Sequence, residues 1–358
     1  MIYILAFIFT FFLSIVFTQL AGILALKLNI IDQPNLERKI HKTPIPLLGG
    51  LAVFLSFGSS LFYFTFFTNF ILFDFIVPKY IVGIFLAGLI IIIGGILDDK
   101  YDLKAKHQII FPIIAVLIII ICGIGITHIR NPFGGIINFD NWQYILFWHN
   151  GIAYKITFIA DLFTFAWLMG MMYTTKLLDG LDGLVSGVTV IGSLIIAFVA
   201  LGTNVDQSNT ALISIILAAA FSGFLLFNFN PAKIFLGEGG SLFAGLMLGT
   251  LAIVSGSKVA TTLLIMGIPI LDVVWVILRR IFSGKAISFA DRKHLHFRLL
   301  DIGFNQRQAV IFMYCLTAIF GGVSLFFSTY GKLIELVILS VFMLILALIL
   351  VIMYKYKN

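Results

Sequence analysis

The sequence contains little charge, since Asp, Glu, Lys and Arg together make up 11% of its 358 residues. Hydrophobic residues make up 61%, whereas a soluble domain has about 45 to 50%. So small a polar share argues against any separate soluble domain. Together with the mean hydropathy of +1.13, it indicates a single polytopic membrane domain over residues 1–358.

Cysteine is nearly absent as well. Cys122 and Cys315 are the two cysteines of the sequence, and both lie inside apolar runs. Two isolated cysteines argue against a disulfide framework and against a cysteine metal site. We expect both to be buried as small apolar side chains.

Long apolar runs dominate the rest of the chain and predict an all-α fold. A membrane-spanning helix needs about 20 mostly apolar residues. About eleven such windows can be placed, or ten if one of them does not cross. They lie near 3–27, 47–68, 80–97, 109–127, 157–175, 184–202, 210–228, 241–255, 259–281, 308–328 and 333–354. The window at 259–281 contains Pro269 and Asp272, so we expect a broken helix there.

The distribution of Lys and Arg predicts the orientation of the chain. If each window crosses once, 18 of the 23 Lys and Arg fall in loops on one side, which the positive-inside rule assigns to the cytoplasm. The N-terminus is then outside and the C-terminus inside the cell membrane. No basic residue precedes Lys27, so the first window is expected to be a retained span rather than a cleavable signal peptide. The net charge of +7 follows from this topology and membrane lipid contact, and does not indicate nucleic-acid binding.

Polar residues concentrate in the loops predicted to be cytoplasmic, where the first pair of carboxylates is Asp98 and Asp99. They end an apolar run, and a charge at the bilayer centre costs about 2.5 to 3.5 kcal/mol. Adjacent carboxylates also repel each other, which a bound cation relieves. The pair therefore predicts either ligands for Mg²⁺ or a proton acceptor beside it. The alternative is a pair of interfacial acids neutralised by nearby lysines.

A second pair of carboxylates, Asp179 and Asp182, stands three positions apart in the stretch KLLDGLDGL. That spacing places both on one face if the following helix has already begun. Gly180 and Gly183 leave room for the backbone to approach a ligand. The alternative is that both carboxylates only complement a helix N-terminus.

Two further clusters suit phosphate groups. Glu238 lies among glycines at a predicted helix start, where free N–H groups favour anions, although a plain membrane-edge turn is the alternative. His294, His296 and Arg298 alternate along HLHFR and predict a cationic patch for a diphosphate. The alternatives are lipid headgroups or a zinc ion, but the second lacks a cysteine or a third nearby histidine.

Taken together, carboxylates, Gly-rich turns and a basic patch on one membrane surface suit phosphoryl transfer. Such chemistry depends mostly on positioning and on neutralising phosphate oxygens. A site embedded in a membrane further predicts that one substrate is a lipid.

The motifs resemble those of the polyprenyl-phosphate N-acetylhexosamine-1-phosphate transferases, glycosyltransferase family 4, over nearly the whole chain. The sequence is closer to the transferases that use UDP-GlcNAc and undecaprenyl phosphate than to the phospho-MurNAc-pentapeptide transferases, because Arg298 replaces the Glu of the latter. The motifs in this chain are DQPNLERKIHKTPIPLLGG, DDKYDLKAK, LLDGLDGL, NPAKIFLGEGGS, PILD and DRKHLHFRLLDIGFNQRQ.

The resemblance implies transfer of GlcNAc 1-phosphate from UDP-GlcNAc, a UDP-N-acetylhexosamine, to a polyprenyl phosphate. The products are a polyprenyl-diphosphate-sugar and UMP, and the lipid product starts a cell-wall or surface glycan. The cofactor is Mg²⁺, with Mn²⁺ as a substitute, and the active site faces the cytoplasm. A homodimer is left open.

The resemblance also implies roles for individual residues. Asp98 is the candidate proton acceptor for the lipid phosphate, and Asp99 supports the substrate or the metal. Asp179 and Asp182 face the nucleotide and diphosphate, and Glu238 takes the place of a metal-binding Asp. The remaining predicted substrate-binding residues are Lys42, His41, Lys176, Asn228, Phe235, His294, His296 and Arg298.

Three residues depart from the family pattern. Lys176 replaces an Asn, and a cation near a metal site repels Mg²⁺ unless it points at phosphate. Glu238 is one methylene longer than the usual Asp, and Phe297 replaces a histidine. Lys176 and Glu238 leave a catalytically silent scaffold as one alternative. The muramoyl-pentapeptide branch is the alternative within the family. A lipid or ion-coupled transporter, with Asp161 and Asp272 in an ion path, is the alternative from another class.

Overall fold

The computed structural model describes residues 1–34, 43–68, 70–71, 77–139, 142–149, 152–202, 207–256, 259–282 and 294–357. Within these ranges the chain forms fourteen α-helices and three separate two-stranded antiparallel pairs. The helices are α1 Ile2–Leu28, α2 Gly49–Phe66, α3 Pro78–Tyr101, α4 Ala105–Gln108, α5 Ile110–Ile121, α6 Phe158–Leu178, α7 Leu184–Leu201, α8 Ser208–Asn228, α9 Gly237–Val254, α10 Val259–Ile265, α11 Gly267–Phe282, α12 Leu295–Asp301, α13 Gln306–Val323 and α14 Thr329–Lys357. The all-α prediction is confirmed.

Each of the eleven predicted windows falls on a helix, but the count of eleven spans is not confirmed. In the described ranges, eight helices are long and apolar enough to cross a membrane: α1, α2, α3, α6, α7, α8, α9 and α14. The bent pair of α10 and α11 makes a ninth. The other two windows fall on α5, which has 12 residues, and on α13, whose polar start lowers its hydropathy.

The predicted break within 259–281 is confirmed, since α10 and α11 meet at an angle of 76°. Pro269 lies in the first turn of α11, where its missing N–H costs no helical hydrogen bond. The bend directs α11 so that Asp272 meets the start of α12.

Helix α9 forms the centre of the bundle, with 83% of its apolar window buried, whereas the corresponding share of α14 is 11%. Helices α3 and α9 touch backbone to backbone, because a Cβ added to Gly95 would lie 2.1 Å from the amide nitrogen of Gly239. A Cβ on Gly50 of α2 would lie 2.4 Å from the nitrogen of Gly240. Small residues at such crossings allow close packing in a membrane. This packing brings the end of α3 to the start of α9.

The strands are short and lie outside the bundle. β1 (Ile31–Asp32) pairs with β2 (Ile45–Pro46), β3 (His128–Arg130) with β4 (Ile136–Asn138), and β5 (Gln143–His149) with β6 (Ile152–Thr157). The last two pairs connect α5 to α6. Tyr144 of β5 and Trp142, which directly precedes β5, are exposed. Exposed aromatic residues of this kind are typical of a segment at the membrane–water interface.

Neither cysteine forms a disulfide. Cys122 is half-buried and Cys315 is exposed on α13. The expectation of burial was wrong for Cys315, because a helix within a bilayer can turn an apolar residue toward lipid as readily as toward the core.

Candidate active site

Three chain segments that are far apart in sequence meet at one end of the bundle. Asp98 and Asp99 lie in the last turn of α3, Asp179 caps the end of α6, and Glu238 lies in the first turn of α9. Lys176 comes from the last turn of α6. The predicted convergence of these motifs is therefore what the fold produces.

Asp98 is held by its own loop. Its Oδ1 accepts hydrogen bonds from the backbone N–H of Leu103 at 2.9 Å and from Nε2 of Gln108 at 2.9 Å. The same Nε2 also donates to the carbonyl of Leu103 at 2.8 Å. The two bonds to Oδ1 orient the carboxylate of Asp98, and its Oδ2 takes part in neither of them. The composition of the motif gave no signal for Gln108.

Asp99 binds the start of α9 directly. Its Oδ1 accepts a hydrogen bond from the backbone N–H of Glu238 at 3.2 Å. Gly237 has a φ of 74°, and a Cβ there would lie 2.5 Å from Asp99 Oδ2. Glycine is required at this position both for the left-handed backbone and for the close approach.

Lys176 forms an ion pair with Glu238 through Oε1. Its Nζ also donates to Oε1 of Gln108 at 3.2 Å, and the Tyr173 ring centroid lies 5.7 Å away. Gln108 thus connects the carboxylate of Asp98 to the ammonium of Lys176. In the described part of the chain no side chain other than Lys176 reaches Glu238 Oε1.

Asp179 lies near the carboxylates of Asp99, Asp182 and Glu238. Its side chain keeps an exposed surface, yet surrounding protein removes much of its hydration, and this desolvation raises the pKa of Asp179 to about 7. The carboxylates of Glu238 and Asp182 contribute, after desolvation, to this raised pKa. A group that is accessible from one direction and dehydrated from the others suits the wall of a binding cleft.

Asp182 connects loops instead of sharing a helical face with Asp179. Helix α7 begins at Leu184, after both residues, so the helical spacing that we considered does not apply. The Oδ2 of Asp182 accepts hydrogen bonds from Nδ2 of Asn230 at 2.8 Å and from the N–H of Ala232 at 3.1 Å. Asn230 also donates to Gln306 at the start of α13, at 2.7 Å.

Asn228 is buried, and each end of its side-chain amide makes a hydrogen bond. Its Oδ1 accepts from Ser186 at 2.8 Å and its Nδ2 donates to the carbonyl of Ile234 at 3.0 Å. Phe235 follows in the same loop, and its backbone N–H donates to the carbonyl of Pro46 at 2.8 Å. Both residues shape the loop before α9, and their contact with uridine stays a prediction.

The histidine segment begins with His294, whose partner Asp272 the predicted site did not include. Asp272 of α11 accepts hydrogen bonds from Nδ1 of His294 at 2.8 Å and from the N–H of Leu295 at 2.9 Å. An ionised Asp272 assigns the proton to Nδ1 and leaves Nε2 on the opposite edge of the ring. The signal that was available for Asp272 was a carboxylate inside an apolar window.

His296 is 1% exposed, and neither ring nitrogen has a hydrogen-bond partner among the described residues. Burial lowers the pKa of His296 to about 4, with Asp272 opposing and His294 adding to that shift. At neutral pH the ring is uncharged, so it offers a hydrogen bond and not the positive charge expected of a cationic patch. Its Nε2 lies 2.4 Å from the place where a Cβ of Gly180 would be, which joins this segment to Asp179.

Arg298 points elsewhere. It lines an apolar groove of about 300 Å³ between α11, α12 and α14, together with Asp272, Trp275 and Met343. His41 and Lys42 lie outside the described residues.

The site fits Mg²⁺ only in part. Among the described residues no three His, Cys, Asp or Glu side chains are placed to hold a metal ion, and Glu238 is paired with Lys176. Mg²⁺ usually binds through one or two carboxylates together with substrate phosphates. Asp99 fits that role, whereas Glu238, paired as it is, does not.

Known proteins resemble this chain across the same segments. The profile of glycosyl transferase family 4 matches residues 81–256, which contain Asp98, Asp99, Asp179, Asp182 and Glu238. The probable undecaprenyl-phosphate N-acetylglucosaminyl 1-phosphate transferase of Bacillus subtilis is 32% identical over 323 residues, covering 88% of this chain and 82% of the relative. The chain belongs to glycosyl transferase family 4.

Two other relatives support this membership. The decaprenyl-phosphate N-acetylglucosaminephosphotransferase of Mycobacterium leprae is 29% identical and covers 87% of this chain and 80% of its own length. The undecaprenyl-phosphate alpha-N-acetylglucosaminyl 1-phosphate transferase of Yersinia pestis is 25% identical, and the match covers 94% of this chain and 87% of the relative. The family 4 protein described here is a multi-pass membrane protein, since eight of its described helices are long and apolar enough to cross a membrane.

Proposed function

We propose that this family 4 protein transfers GlcNAc 1-phosphate from UDP-GlcNAc to a polyprenyl phosphate, giving polyprenyl-diphosphate-GlcNAc and UMP. The observation that carries the proposal is the connected cluster that runs from Asp98 through Gln108 and Lys176 to Glu238 and Asp99. The names of the relatives supply the sugar and the lipid. The product starts synthesis of a lipid-linked glycan.

In the proposed reaction an oxygen of the lipid phosphate attacks the β-phosphorus of UDP-GlcNAc. The bond from that phosphorus to the bridging oxygen breaks, and UMP leaves. Asp98 accepts the proton of the lipid phosphate, since its Oδ1 is oriented by Leu103 and Gln108 and Oδ2 lies outside those bonds. Positioned proton acceptors contribute about 10² to 10⁴ in rate.

Mg²⁺ is part of this proposal. When bound it would supply positive charge to the phosphate oxygens, and Asp99 would be the residue that holds it together with the donor's phosphates. Asp179 lines the donor cleft, and Asp182 keeps the loops around that cleft together through Asn230 and Ala232.

The acceptor side of the proposal rests on the histidine segment and its groove. The Nε2 of buried His296 lies beside Gly180, and the ring of His294 stacks on it with centroids 5.7 Å apart. Arg298 and an apolar groove of about 300 Å³ suit an anionic head on a long apolar chain. A one-sided location at the cytoplasmic face of the cell membrane follows from the distribution of Lys and Arg.

An assay of UMP release tests the function. Purified protein in detergent receives undecaprenyl or decaprenyl phosphate, Mg²⁺, and either UDP-GlcNAc or UDP-MurNAc-pentapeptide. We expect UMP and a lipid-linked sugar in equal amounts from UDP-GlcNAc. Turnover of UDP-MurNAc-pentapeptide alone would reject the donor, and folded protein inactive with every UDP-sugar would favour the silent scaffold.

The transporter alternative predicts a different outcome. A transporter site lies near the bilayer midplane, whereas the cluster here lies at helix ends. Substrate-dependent ion uptake into proteoliposomes without UMP release would favour a transporter over the proposed transferase.

A further inference from the structure

The Lys176–Glu238 ion pair lies where the resemblance places a metal ligand, and it carries an inference that rests on the proposed function. We infer that the ammonium of Lys176, held by Glu238 and Gln108, is the fixed cation for the donor diphosphate. Glu238 is then a positioning residue for Lys176 and not a ligand of Mg²⁺.

Charge explains why a fixed cation is needed here. Asp98, Asp99, Asp179 and Glu238 surround the cleft, and a diphosphate that enters brings further negative charge. One ammonium offsets part of that repulsion, and it is present even when no metal ion is bound. Lys176 brings a basic side chain into direct contact with this carboxylate cluster through Glu238.

The geometry of Lys176 suits a phosphate contact. An ammonium has three N–H donors; Gln108 Oε1 accepts one, and the ion pair with Glu238 Oε1 occupies a second side of the ammonium. The side chain keeps 24% of its surface exposed, so an anion in the cleft can reach the third donor. Charge-assisted hydrogen bonds of this kind are the stronger ones.

Gln108 fixes this arrangement from the other side. Its Nε2 donates to Asp98 Oδ1 and to the Leu103 carbonyl, and these bonds set which way the amide faces. The amide oxygen is therefore directed at Lys176. The proposed proton acceptor and the proposed diphosphate cation are thus held by one side chain.

The test is binding of UDP in EDTA, measured by calorimetry on purified protein. The lysine variant is Lys176→Met, and the matched control is Lys100→Met, an exposed lysine at the end of α3 whose Nζ lies 5.5 Å from the Tyr101 ring centroid. We expect wild type and K100M to bind UDP without metal and K176M to bind about ten- to a hundredfold more weakly. Lys176→Arg keeps the charge and is expected to recover most of the affinity. Equal UDP affinity of K176M and wild type in EDTA would overturn the inference.

A second measurement separates a positioning role of Glu238 from metal binding. Electron paramagnetic resonance reports Mn²⁺ affinity in the absence of donor. We expect Glu238→Gln to keep Mn²⁺ affinity within about twofold while weakening UDP binding in EDTA, and to have no further effect in the K176M background, because the two residues act as a unit. A tenfold loss of Mn²⁺ affinity in E238Q would show that Glu238 is a metal ligand.

These outcomes are distinct from failure of the proposed function. UDP is shared by all UDP-sugar donors, so its binding does not depend on which sugar is transferred. Absence of GlcNAc transfer with intact UDP binding would reject the donor and leave the role of Lys176 in place.

Discussion

The two halves of the site differ in how complete they are. In the acidic half, made of Asp98, Asp99, Lys176, Asp179 and Glu238, three of the carboxylates already have a protein partner in the described structure: Asp98, Asp99 and Glu238. In the histidine half, made of Asp272, His294, His296 and Arg298, the buried ring of His296 has no partner among the described residues.

A buried polar group without a partner costs about 1 to 3 kcal/mol. The fold keeps His296 in that state, while it satisfies its neighbour His294 through Asp272. The difference teaches that protein contacts orient most of the acidic half, whereas in the histidine half the described residues leave both ring nitrogens of His296 without a partner. The halves meet at Gly180, and variants that affect one half at a time test the comparison.

The largest effect is expected from Gly95→Ala, which disrupts the acidic half. The added Cβ would meet the backbone of Gly239 at 2.1 Å, and backbone cannot move aside as a side chain can. Overpacking costs about 1 to 3 kcal/mol or more, so we expect a large fall in melting temperature and in yield of folded protein. Gly170→Ala is the control, because its Cβ would meet nothing within 4 Å. Equal melting temperatures for G95A and G170A would contradict this account of the α3–α9 contact.

The next effect is on catalysis within the acidic half. Asp98→Asn removes the proposed proton acceptor while keeping the size of the side chain, so we expect kcat to fall about a hundredfold to ten-thousandfold with melting temperature nearly unchanged. Asp102→Asn controls for loss of charge in the same segment. Asp102 has a φ of 48°, a conformation that Asn tolerates well. Retention of full kcat by D98N would remove Asp98 from the mechanism.

A smaller effect is expected where the two halves meet. In Gly180→Ala the new Cβ would lie 2.4 Å from His296 Nε2 and 2.9 Å from the Phe297 ring, so the histidine side chain has to shift. A displacement of about 1 Å can cost up to a hundredfold in rate, and we expect a ten- to hundredfold fall in kcat/KM. Gly170→Ala again serves as the control. If G180A were as active as G170A, His296 would have no part in the reaction.

The smallest effect is a pH dependence of stability from Asp179. Its pKa is raised to about 7, above the value of about 3.9 in an unfolded chain. Between these values the folded protein holds the proton more tightly, so stability from this group is greatest below about pH 4 and is lost as pH rises through 7. The melting temperature of Asp179→Asn minus that of wild type should therefore increase from pH 5 to pH 8. A difference that stays constant over this range would mean that Asp179 titrates normally.

Much of this arrangement could be predicted from the sequence. Charges at the ends of long apolar runs have to lie near a membrane surface, and the alternation of loops assigned Asp98, Asp179 and Glu238 to the same surface. The break beside Pro269 followed from the chemistry of proline.

The missed features depend on contacts between distant residues. Gln108 is identified only by its bonds to Asp98 and Lys176, and Asn230 only by its contact with Asp182 across 48 positions. The relation of Asp179 to Asp182 was misjudged because the start of α7 at Leu184 has no strong local signal. The hairpins between α5 and α6 were not predicted, since short exposed strands lack a buried face that patterns their sequence.

The central claim is that segments far apart in the chain form one donor site. Its most direct test is a cross-link between Lys176→Cys and Glu238→Cys in a protein whose Cys122 and Cys315 are replaced by Ala, treated with a short bifunctional thiol reagent. Rapid internal cross-linking that UDP-GlcNAc slows, with no internal link in either single variant, is the predicted result. Failure of the folded double variant to cross-link, or labelling of the two positions from opposite sides of the membrane, would contradict the claim.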